Sequence, residues 1–201
     1  EIRLESHLLG LPNLYNWMGA IGAALAVGID IRAIEAGVRS LPVVRGRFEH
    51  VGDAPTVIVD YAHKPDTLEK LLAAVRELKP ESNLWLIFGC GGDRDKGKRP
   101  QMGEIAARMA DRVIITSDNP RSEDPHTIIE QIAAACPGAT IIENRREAIA
   151  RAVESADDDD VVVVAGKGHE TYQVVGDRVV HFDDREEAQL ALKKRHEKVL
   201  L

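Results

Sequence analysis

Several polar loops in this sequence follow short apolar runs and carry side chains that can bind charged ligands. Asp60 and His63 lie just before a predicted helix start, a set suited to a phosphate or ribose contact. Asn119 and Arg121 offer an amide and a guanidinium, which together can hold a carboxylate. The segment 166–170 contains two glycines, which let a ligand contact the backbone, and the carboxylate of Glu170, which can pair with an ammonium group. Each loop by itself is also compatible with an ordinary capped turn.

The loop at residues 91–100 partly matches a phosphate-binding P-loop. Residues 92–98 fit the spacing G-x-x-x-x-G-K. The next residue is Arg99, whereas a P-loop has a Ser or Thr there whose hydroxyl binds magnesium. Asp93 and Asp95 would also repel the phosphates. We therefore expect a glycine-rich loop of another kind. A P-loop nucleotide-binding protein stays open as an alternative. It would be excluded if Lys98→Ala left nucleotide binding unchanged.

Arg94, Arg121 and Glu170 each follow a different predicted strand. In an open parallel sheet the carboxyl ends of the strands lie at one edge, and ligands bind there. Two cations and one carboxylate at that edge could hold the carboxylate and the ammonium of a zwitterion. The sequence therefore predicts a site for a free amino acid.

Short β-branched runs alternate with amphipathic stretches from residue 56 onward. The predicted strands are 56–60, 84–88, 112–116, 140–142 and 161–165, followed by a hairpin of 172–175 and 179–182 around Gly176-Asp177. Continuously apolar strands separated by helices should be buried on both faces. The pattern predicts an α/β fold, a doubly wound, mostly parallel Rossmann-like sheet with a closing β-hairpin. Two short helices between residues 13 and 38, broken at Gly28, precede it.

Side-chain chemistry marks three helix starts. Asp66 and Glu69 have the spacing of a capping box. Asp124 precedes a proline, which predicts a cap followed by a proline at the first helical position. Asp184 is predicted to cap a final helix. The acidic run 157–160 is predicted to be a solvated turn with no metal role.

The composition disfavours several functional classes. Lys and Arg number 26 against 33 Asp and Glu, and the net charge of −7 argues against a nucleic-acid binder. No run approaches the roughly 18–20 apolar residues of a membrane helix and no secretory signal is visible, so we expect a cytoplasmic protein without membrane contact. Cys90 and Cys136 are expected to be reduced thiols. The sequence begins at Glu1 without an initiator Met, and we expect it to be part of a longer protein.

Six short motifs occur in an order that is typical of one family. They are Asn13-Leu14-Tyr15-Asn16, Gly46-Arg47-Phe48-Glu49, Asp60-Tyr61-Ala62-His63, the glycine-rich run 91–100, Asp118-Asn119-Pro120-Arg121 and Gly166-Lys167-Gly168-His169-Glu170. Over nearly its whole length the chain resembles the carboxyl-terminal part of the Mur ligases, the ATP-dependent acid–amino-acid ligases of peptidoglycan synthesis. The likeness is greatest to the branch that adds meso-diaminopimelate to UDP-N-acetylmuramoyl-L-alanyl-D-glutamate. It implies that residues 1–44 are the helical end of the central ATP-binding domain and residues 45–201 the carboxyl-terminal domain, which binds the incoming amino acid.

The resemblance also implies roles for individual residues. The positions that match ATP contacts are Asn16, Arg47, Asp60 and His63, and those that match diaminopimelate contacts are Arg94, Asp118, Asn119, Arg121, Gly166 and Glu170. The Asp-Asn-Pro-Arg form of the third loop is associated with meso-diaminopimelate, whose distal carboxylate needs a cation. No residue of this chain is expected to bind a metal.

In the family's reaction, ATP converts the D-glutamate carboxylate to an acyl phosphate, and the incoming amine then expels phosphate. The resemblance implies ATP and Mg²⁺, with the phosphate loop and the metal ligands in the central domain, outside these residues. We therefore expect no catalytic residue within the chain and no turnover by the chain alone. Two further alternatives stay open, a stand-alone amino-acid-binding module and a Mur-type ligase that adds L-lysine.

Overall fold

In the part of the chain that the structure describes, two helices precede a six-stranded sheet with five further helices on its faces, and a two-stranded hairpin lies before the last of these helices. The structure is a computed structural model that describes residues 4–6, 8 and 10–199. The helices are α1 (Leu11–Ala26), α2 (Ile31–Ser40), α3 (Pro65–Leu78), α4 (Lys98–Met109), α5 (Pro125–Ala133), α6 (Arg145–Ser155) and α7 (Asp184–Val199). The strands are β1 (Glu49–Asp53), β2 (Thr56–Asp60), β3 (Leu84–Phe88), β4 (Arg112–Ile115), β5 (Thr140–Ile141), β6 (Val161–Ala165), β7 (Tyr172–Val175) and β8 (Arg178–His181).

The large sheet has the strand order β1-β2-β6-β3-β4-β5. All of its neighbouring strands are parallel except β1 and β2. All five residues of β6, between β2 and β3, are buried, because helices cover both faces of the sheet. The predicted α/β fold, with a doubly wound, mostly parallel sheet and a closing hairpin, is confirmed. β4 and β5 each end one residue before the predicted position.

Each face of the sheet packs against its own set of helices. On one face α3, α4 and α5 contribute Leu72, Met102 and Ile129 to a buried cluster. On the other face α6 and α7 contribute Ile149 and Leu192. The apolar residues of these helices recur at helical spacing, so one side of each helix faces the sheet. The two layers leave the carboxyl ends of the strands free to carry loops. None of the helices in the described ranges is long and apolar enough to cross a membrane.

The edge strand β1 was not predicted from the sequence. Its residues, Glu-His-Val-Gly-Asp, do not alternate between apolar and polar types. Gly52 lets α7 approach closely, since a Cβ at this position would lie 2.5 Å from Leu192 Cδ1. Because β1 runs antiparallel to β2, it begins at the edge where β2 ends. Residues 46–48 therefore lie beside the loops of the parallel strands.

The start of α3 differs from the prediction. The helix begins at Pro65, where a proline fits because it has no N–H to satisfy and its ring fixes φ. The Thr67 hydroxyl accepts from the Lys64 amide at 3.2 Å and donates to the Lys64 carbonyl oxygen at 2.9 Å. The predicted capping box of Asp66 and Glu69 is therefore wrong. Asp66 lies in the first turn, where its charge favours the helix dipole.

The start of α7 also differs, by one residue. Asp183 Oδ1 accepts from the amide of Arg185 at 2.9 Å, so Asp183 is the cap. Asp184, the predicted cap, is fully buried in an ion pair instead. The cap of α5 is confirmed, since Asp124 Oδ2 accepts from the Thr127 amide at 3.1 Å.

The acidic run 157–160 is solvated only in part. Asp160 is buried and accepts hydrogen bonds from Asn83 Nδ2 and Trp85 Nε1, each at 3.0 Å. Burial opposes its charged form, but the hydrogen bonds, first that of Trp85, bring the pKa of Asp160 below its ordinary value. The prediction of a solvated turn is thus wrong for Asp160, which joins the starts of β3 and β6.

Candidate functional site

A cavity of about 510 Å³ lies at the carboxyl edge of the sheet, between the loops that follow β2, β3, β4 and β6. It is termed the four-loop cavity below. The six residues predicted to hold the amino acid all line it, namely Arg94, Asp118, Asn119, Arg121, Gly166 and Glu170. The sheet brings them together because its parallel strands end at one edge. Their roles toward a ligand stay predictions.

A closed network of hydrogen bonds joins two of these residues to a buried lysine. Lys167 Nζ donates to Asn119 Oδ1 at 3.2 Å and to Glu170 Oε2 at 3.4 Å. Asn119 Nδ2 donates to the same Glu170 oxygen at 2.9 Å, and the Val174 amide donates to Asn119 Oδ1 at 2.9 Å. The Lys167 side chain is fully buried, whereas that of Glu170 is 20% exposed. The network therefore fixes both polar side chains at the cavity wall.

The loops after β4 and β6 approach each other most closely at Asp118 and Gly166. Gly166 has a φ of 121°, and a Cβ on it would lie 2.8 Å from Asp118 Oδ2. Asp118 is buried, with Oδ1 3.9 Å from Lys167 Nζ. Only glycine combines this φ with this closeness. Gly166 therefore allows a carboxylate to lie directly beneath the backbone of the β6 loop.

The hairpin of β7 and β8 holds Arg121 in a strained conformation. Arg121 has a φ of 53°, in the left-handed region that non-glycine residues rarely adopt. Its amide donates to the Val174 carbonyl at 3.1 Å, and the Gly176 amide donates to its carbonyl at 2.7 Å. Its Nη1 donates to the Gly92 carbonyl at 2.8 Å. The hairpin, whose second strand starts at Arg178, one residue earlier than predicted, therefore positions this guanidinium at the cavity.

The glycine-rich loop is anchored at the position where it departs from a P-loop. Arg99 is fully buried and donates to both carboxylate oxygens of Glu123, at 2.9 and 3.0 Å. The Asp93 amide donates to Glu123 Oε1 at 2.6 Å. Arg99, followed by the Asp93 amide, lowers the pKa of Glu123 to about 2. An ion pair thus replaces the magnesium-binding hydroxyl, in agreement with the interpretation that residues 92–98 are not a P-loop.

A second cavity, of about 530 Å³, lies between α1, the segment before β1 and the loop after β2. It is termed the junction cavity below. The four predicted ATP contacts all line it, namely Asn16, Arg47, Asp60 and His63. Tyr61, His63 and Lys64 line both cavities. A ligand in one cavity is therefore separated from a ligand in the other by a single short segment.

Asp60, the last residue of β2, uses one carboxylate oxygen to hold the residue before β1 and the other to hold the loop after β2. Oδ2 accepts from the Phe48 amide and Oδ1 from the Ala62 amide, each at 2.7 Å. Burial raises the pKa of Asp60, against the opposing effect of these hydrogen bonds. The neighbouring Arg47 places its guanidinium carbon 5.0 Å from the centroid of the Tyr61 ring. Asp60 thus has a structural role, whatever it contributes toward ATP.

The segment between the cavities is held by its neighbours. His63 Nδ1 lies 2.9 Å from the Tyr61 carbonyl oxygen, and since that oxygen can only accept, Nδ1 carries the proton in this contact. Lys98 Nζ donates to the His63 carbonyl oxygen at 2.7 Å. The Tyr61 ring centroid lies 4.6 Å from that of His63 and 5.2 Å from that of His169. Groups from three loops therefore hold the segment that forms the wall between the two cavities.

Lys167, Tyr61 and Lys98 were not predicted as site residues. All three stand inside the motifs, so their positions were visible in the sequence. The burial of Lys167 was not visible, because a lysine in a polar loop is normally solvated.

The residues described offer no metal site. Within ranges 4–6, 8 and 10–199, no group of three or more His, Cys, Asp or Glu side chains could hold a metal ion. Asp118 and Glu170 at the four-loop cavity face the ammonium of Lys167. These residues therefore do not fit a magnesium ion.

Comparison with known proteins identifies relatives of this arrangement. The family model described as "Mur ligase, glutamate ligase domain" matches residues 46–168. The UDP-N-acetylmuramoyl-L-alanyl-D-glutamate–2,6-diaminopimelate ligase of Thermosynechococcus vestitus is 52% identical over 199 residues, which are 96% of this chain and 40% of that protein. The ligase of the same name from Listeria innocua is 48% identical over 200 residues, 97% of this chain and 40% of that protein. A solved structure of a ligase of this name has a TM-score of 0.75 and 41% identity, covering 96% of this chain and 40% of its own. The chain spans about 40% of the length of these curated relatives.

Proposed function

Since the chain belongs to the Mur ligase family, we propose that it forms the amino-acid-binding part of an ATP-dependent ligase that adds meso-diaminopimelate to UDP-N-acetylmuramoyl-L-alanyl-D-glutamate. One observation carries the proposal. The six expected amino-acid contacts line one cavity, the four expected ATP contacts line the next, and a three-residue wall separates them. An amine held in the four-loop cavity would then face a carboxylate activated beside the junction cavity.

The four-loop cavity suits a zwitterion. Arg94 and Arg121 supply guanidinium groups for carboxylates, and Glu170 supplies an oxygen for an ammonium. In the proposed reaction, ATP phosphorylates the D-glutamate carboxylate of the UDP-linked dipeptide and leaves as ADP. The neutral amine then attacks the carbonyl carbon of the acyl phosphate, expels phosphate and releases a proton. The residues of this chain bind and orient the amine, and such orientation replaces an entropic cost that the free reactants would have to meet.

Arg121 supports diaminopimelate over L-lysine as the amino acid. Among the described residues, only Nη1 of its guanidinium has hydrogen-bond partners, the carbonyls of Gly92 and Asn119. Nη2 and Nε are left to pair with the distal carboxylate of diaminopimelate, which L-lysine lacks. A stand-alone amino-acid-binding module would require the same residues, but it would not explain the adjoining junction cavity.

We place ATP in the junction cavity, with Asn16, Arg47, Asp60 and His63 as its contacts. Mg²⁺ and the phosphate-binding loop are expected from the family's central domain. Residues 1–44 would be the helical end of that domain, and 45–201 the domain that binds the amino acid. Because ATP and a nucleotide-linked dipeptide are the proposed substrates, we propose a cytoplasmic location.

The complete ligase that carries these residues provides the test. It is mixed with ATP, Mg²⁺ and the UDP-linked dipeptide, and phosphate release is measured with diaminopimelate or L-lysine. We expect release with diaminopimelate, and a kcat/KM at least about 100-fold lower with L-lysine, because the guanidinium would be left without its carboxylate. Equal use of both amino acids, or no use of diaminopimelate by a folded enzyme, would contradict the proposal. The 201 residues alone are expected to release no ADP.

A further inference from the structure

Lys167 lies directly behind the residues that line the four-loop cavity, and its side chain has no exposed surface. Its ammonium lies 3.2 Å from Asn119 Oδ1, 3.4 Å from Glu170 Oε2 and 3.9 Å from Asp118 Oδ1. It also lies 5.7 Å from the centroid of the Tyr172 ring. A buried charge is costly unless it is paired and hydrogen-bonded. All three of its oxygen partners belong to residues that the proposed function assigns to the substrate.

The hydrogen bonds of Lys167 determine which atoms of its neighbours are left for a ligand. Asn119 Oδ1 accepts from Lys167 and from the Val174 amide, which engages both of its lone pairs. Glu170 Oε2 accepts from Lys167 and from Asn119 Nδ2. In the described part of the chain no group donates to Glu170 Oε1. The groups left are one N–H of the Asn119 amide, a donor, and Glu170 Oε1, an acceptor.

We propose that Lys167 is a positioning residue that fixes this polarity, so that Asn119 can only donate to a substrate carboxylate and Glu170 presents Oε1 to a substrate ammonium. Without the ammonium, Asn119 Oδ1 and Glu170 Oε2 each lose a donor. The amide is then held only by the Val174 amide and Glu170 and can turn more easily, and either oxygen of Glu170 can face the cavity. The site also becomes more negative by one charge, which disfavours a ligand that bears two carboxylates. The inference rests on the proposed function, because it takes diaminopimelate as the ligand.

Lys167→Met in the complete ligase tests this role, since it keeps an unbranched side chain and removes the charge. We expect the KM for diaminopimelate to rise at least about 10-fold, with kcat reduced by less than that factor, because the loss is one of ground-state binding. The KM values for ATP and for the UDP-linked dipeptide should stay within about 2-fold, because neither ligand contacts this network. Lys194→Met, at an exposed position of α7, is the matched control and should change none of these constants.

Two kinetic outcomes would overturn the inference. One is a KM for diaminopimelate within about 2-fold of the wild-type value, and the other is an equal rise of the KM values for diaminopimelate and ATP. Lys167→Gln is the second variant, and thermal unfolding is measured for both. If neither variant folds, Lys167 supports the domain as a whole and the inference is also overturned.

Wild-type turnover separates this inference from the proposed function. An enzyme that uses L-lysine and not diaminopimelate contradicts the proposed function. An enzyme that uses diaminopimelate and whose KM is indifferent to Lys167 contradicts only the positioning role.

Discussion

Arg145 and Asp184 form a bidentate ion pair beneath the loop that follows β6. Nε donates to Oδ1 and Nη2 donates to Oδ2, both at 2.7 Å, and neither side chain has exposed surface. Arg145 Nη2 also donates to the Ala165 carbonyl at 3.0 Å. Burial opposes the charged guanidinium, but Asp184 raises the pKa of Arg145 above its ordinary value. The pair joins the starts of α6 and α7 to the end of β6.

Asp184→Ala should destabilise the chain by about 3 to 5 kcal/mol, because it leaves the guanidinium of Arg145 buried without a counter-charge. Urea unfolding followed by circular dichroism measures the change. Asp159→Ala, at an exposed position, is the control, and its free energy of unfolding should stay within about 0.5 kcal/mol of the wild-type value. A loss for Asp184→Ala as small as that of the control would show that the ion pair does not stabilise the fold.

Arg121→Ala in the complete ligase should reduce kcat/KM for diaminopimelate roughly 30- to 1,000-fold, since the distal carboxylate loses its partner. This corresponds to a loss of about 2 to 4 kcal/mol of transition-state stabilisation. The KM for ATP should not change. Arg178→Ala, on the exposed strand β8, is the matched control. Steady-state kinetics decide the matter, and unchanged use of diaminopimelate would refute the role of Arg121.

Gly166→Ala and Gly176→Ala separate backbone strain from contact with the cavity. Both glycines have a positive φ, 121° and 57°, so both substitutions are strained. Only Gly166 has a neighbour in the way, since a Cβ there would lie 2.8 Å from Asp118 Oδ2, whereas Gly176 faces open space. Gly166→Ala should therefore weaken diaminopimelate binding by the complete ligase at least about 10-fold by displacing Asp118, and Gly176→Ala should not. Calorimetry measures both, and equal affinities would contradict the expectation.

Glu123 should make stability depend on pH. Its pKa in the folded state is about 2, chiefly because of Arg99, against an ordinary value of 4.5. A carboxyl whose pKa is lowered by folding stabilises the fold fully above its unfolded pKa, and this contribution is lost as the pH falls from about 4.5 toward about 2. Glu123→Gln should therefore lower the urea midpoint at about pH 6, and its difference from wild type should shrink by about pH 3.

The exposed Glu104 supplies the control for this pH dependence. Glu104→Gln should leave the urea midpoint near the wild-type value at both pH values. A difference between Glu123→Gln and wild type that stays constant from about pH 6 to about pH 3 would show that the ion pair with Arg99 does not titrate in this range.

The parts of the fold that depend on local sequence were predictable. The five valine and alanine residues of β6 form an unbroken apolar run, and Asp124 caps α5 through a neighbour three residues away. β1 could not be predicted, because its polar sequence becomes a strand only by pairing with β2. The local sequence predicts Asp184 as a cap, but its ion-pair partner, Arg145, lies 39 residues away in the sequence.

The candidate site shows the same division. The rule that ligands bind at the carboxyl ends of parallel strands was enough to group Arg94, Arg121 and Glu170. The hydrogen-bond state of each side chain was not predictable. The buried ammonium of Lys167 donates to the amide oxygen of Asn119, which lies 48 residues away in the sequence. Asp60 Oδ2 is engaged because the segment before β1 returns to the end of β2, whereas Oδ1 accepts from the Ala62 amide two residues away.

The wall of Tyr61, His63 and Lys64 has a thermodynamic consequence. Each of these residues borders both cavities, so a ligand that shifts one of them in the first cavity alters the surface offered in the second. Linkage then requires reciprocity: the factor by which one ligand changes the affinity of the other must be the same in both directions. Under the proposed function, any coupling between the two ligands would therefore act through the packing of Tyr61, His63 and Lys64.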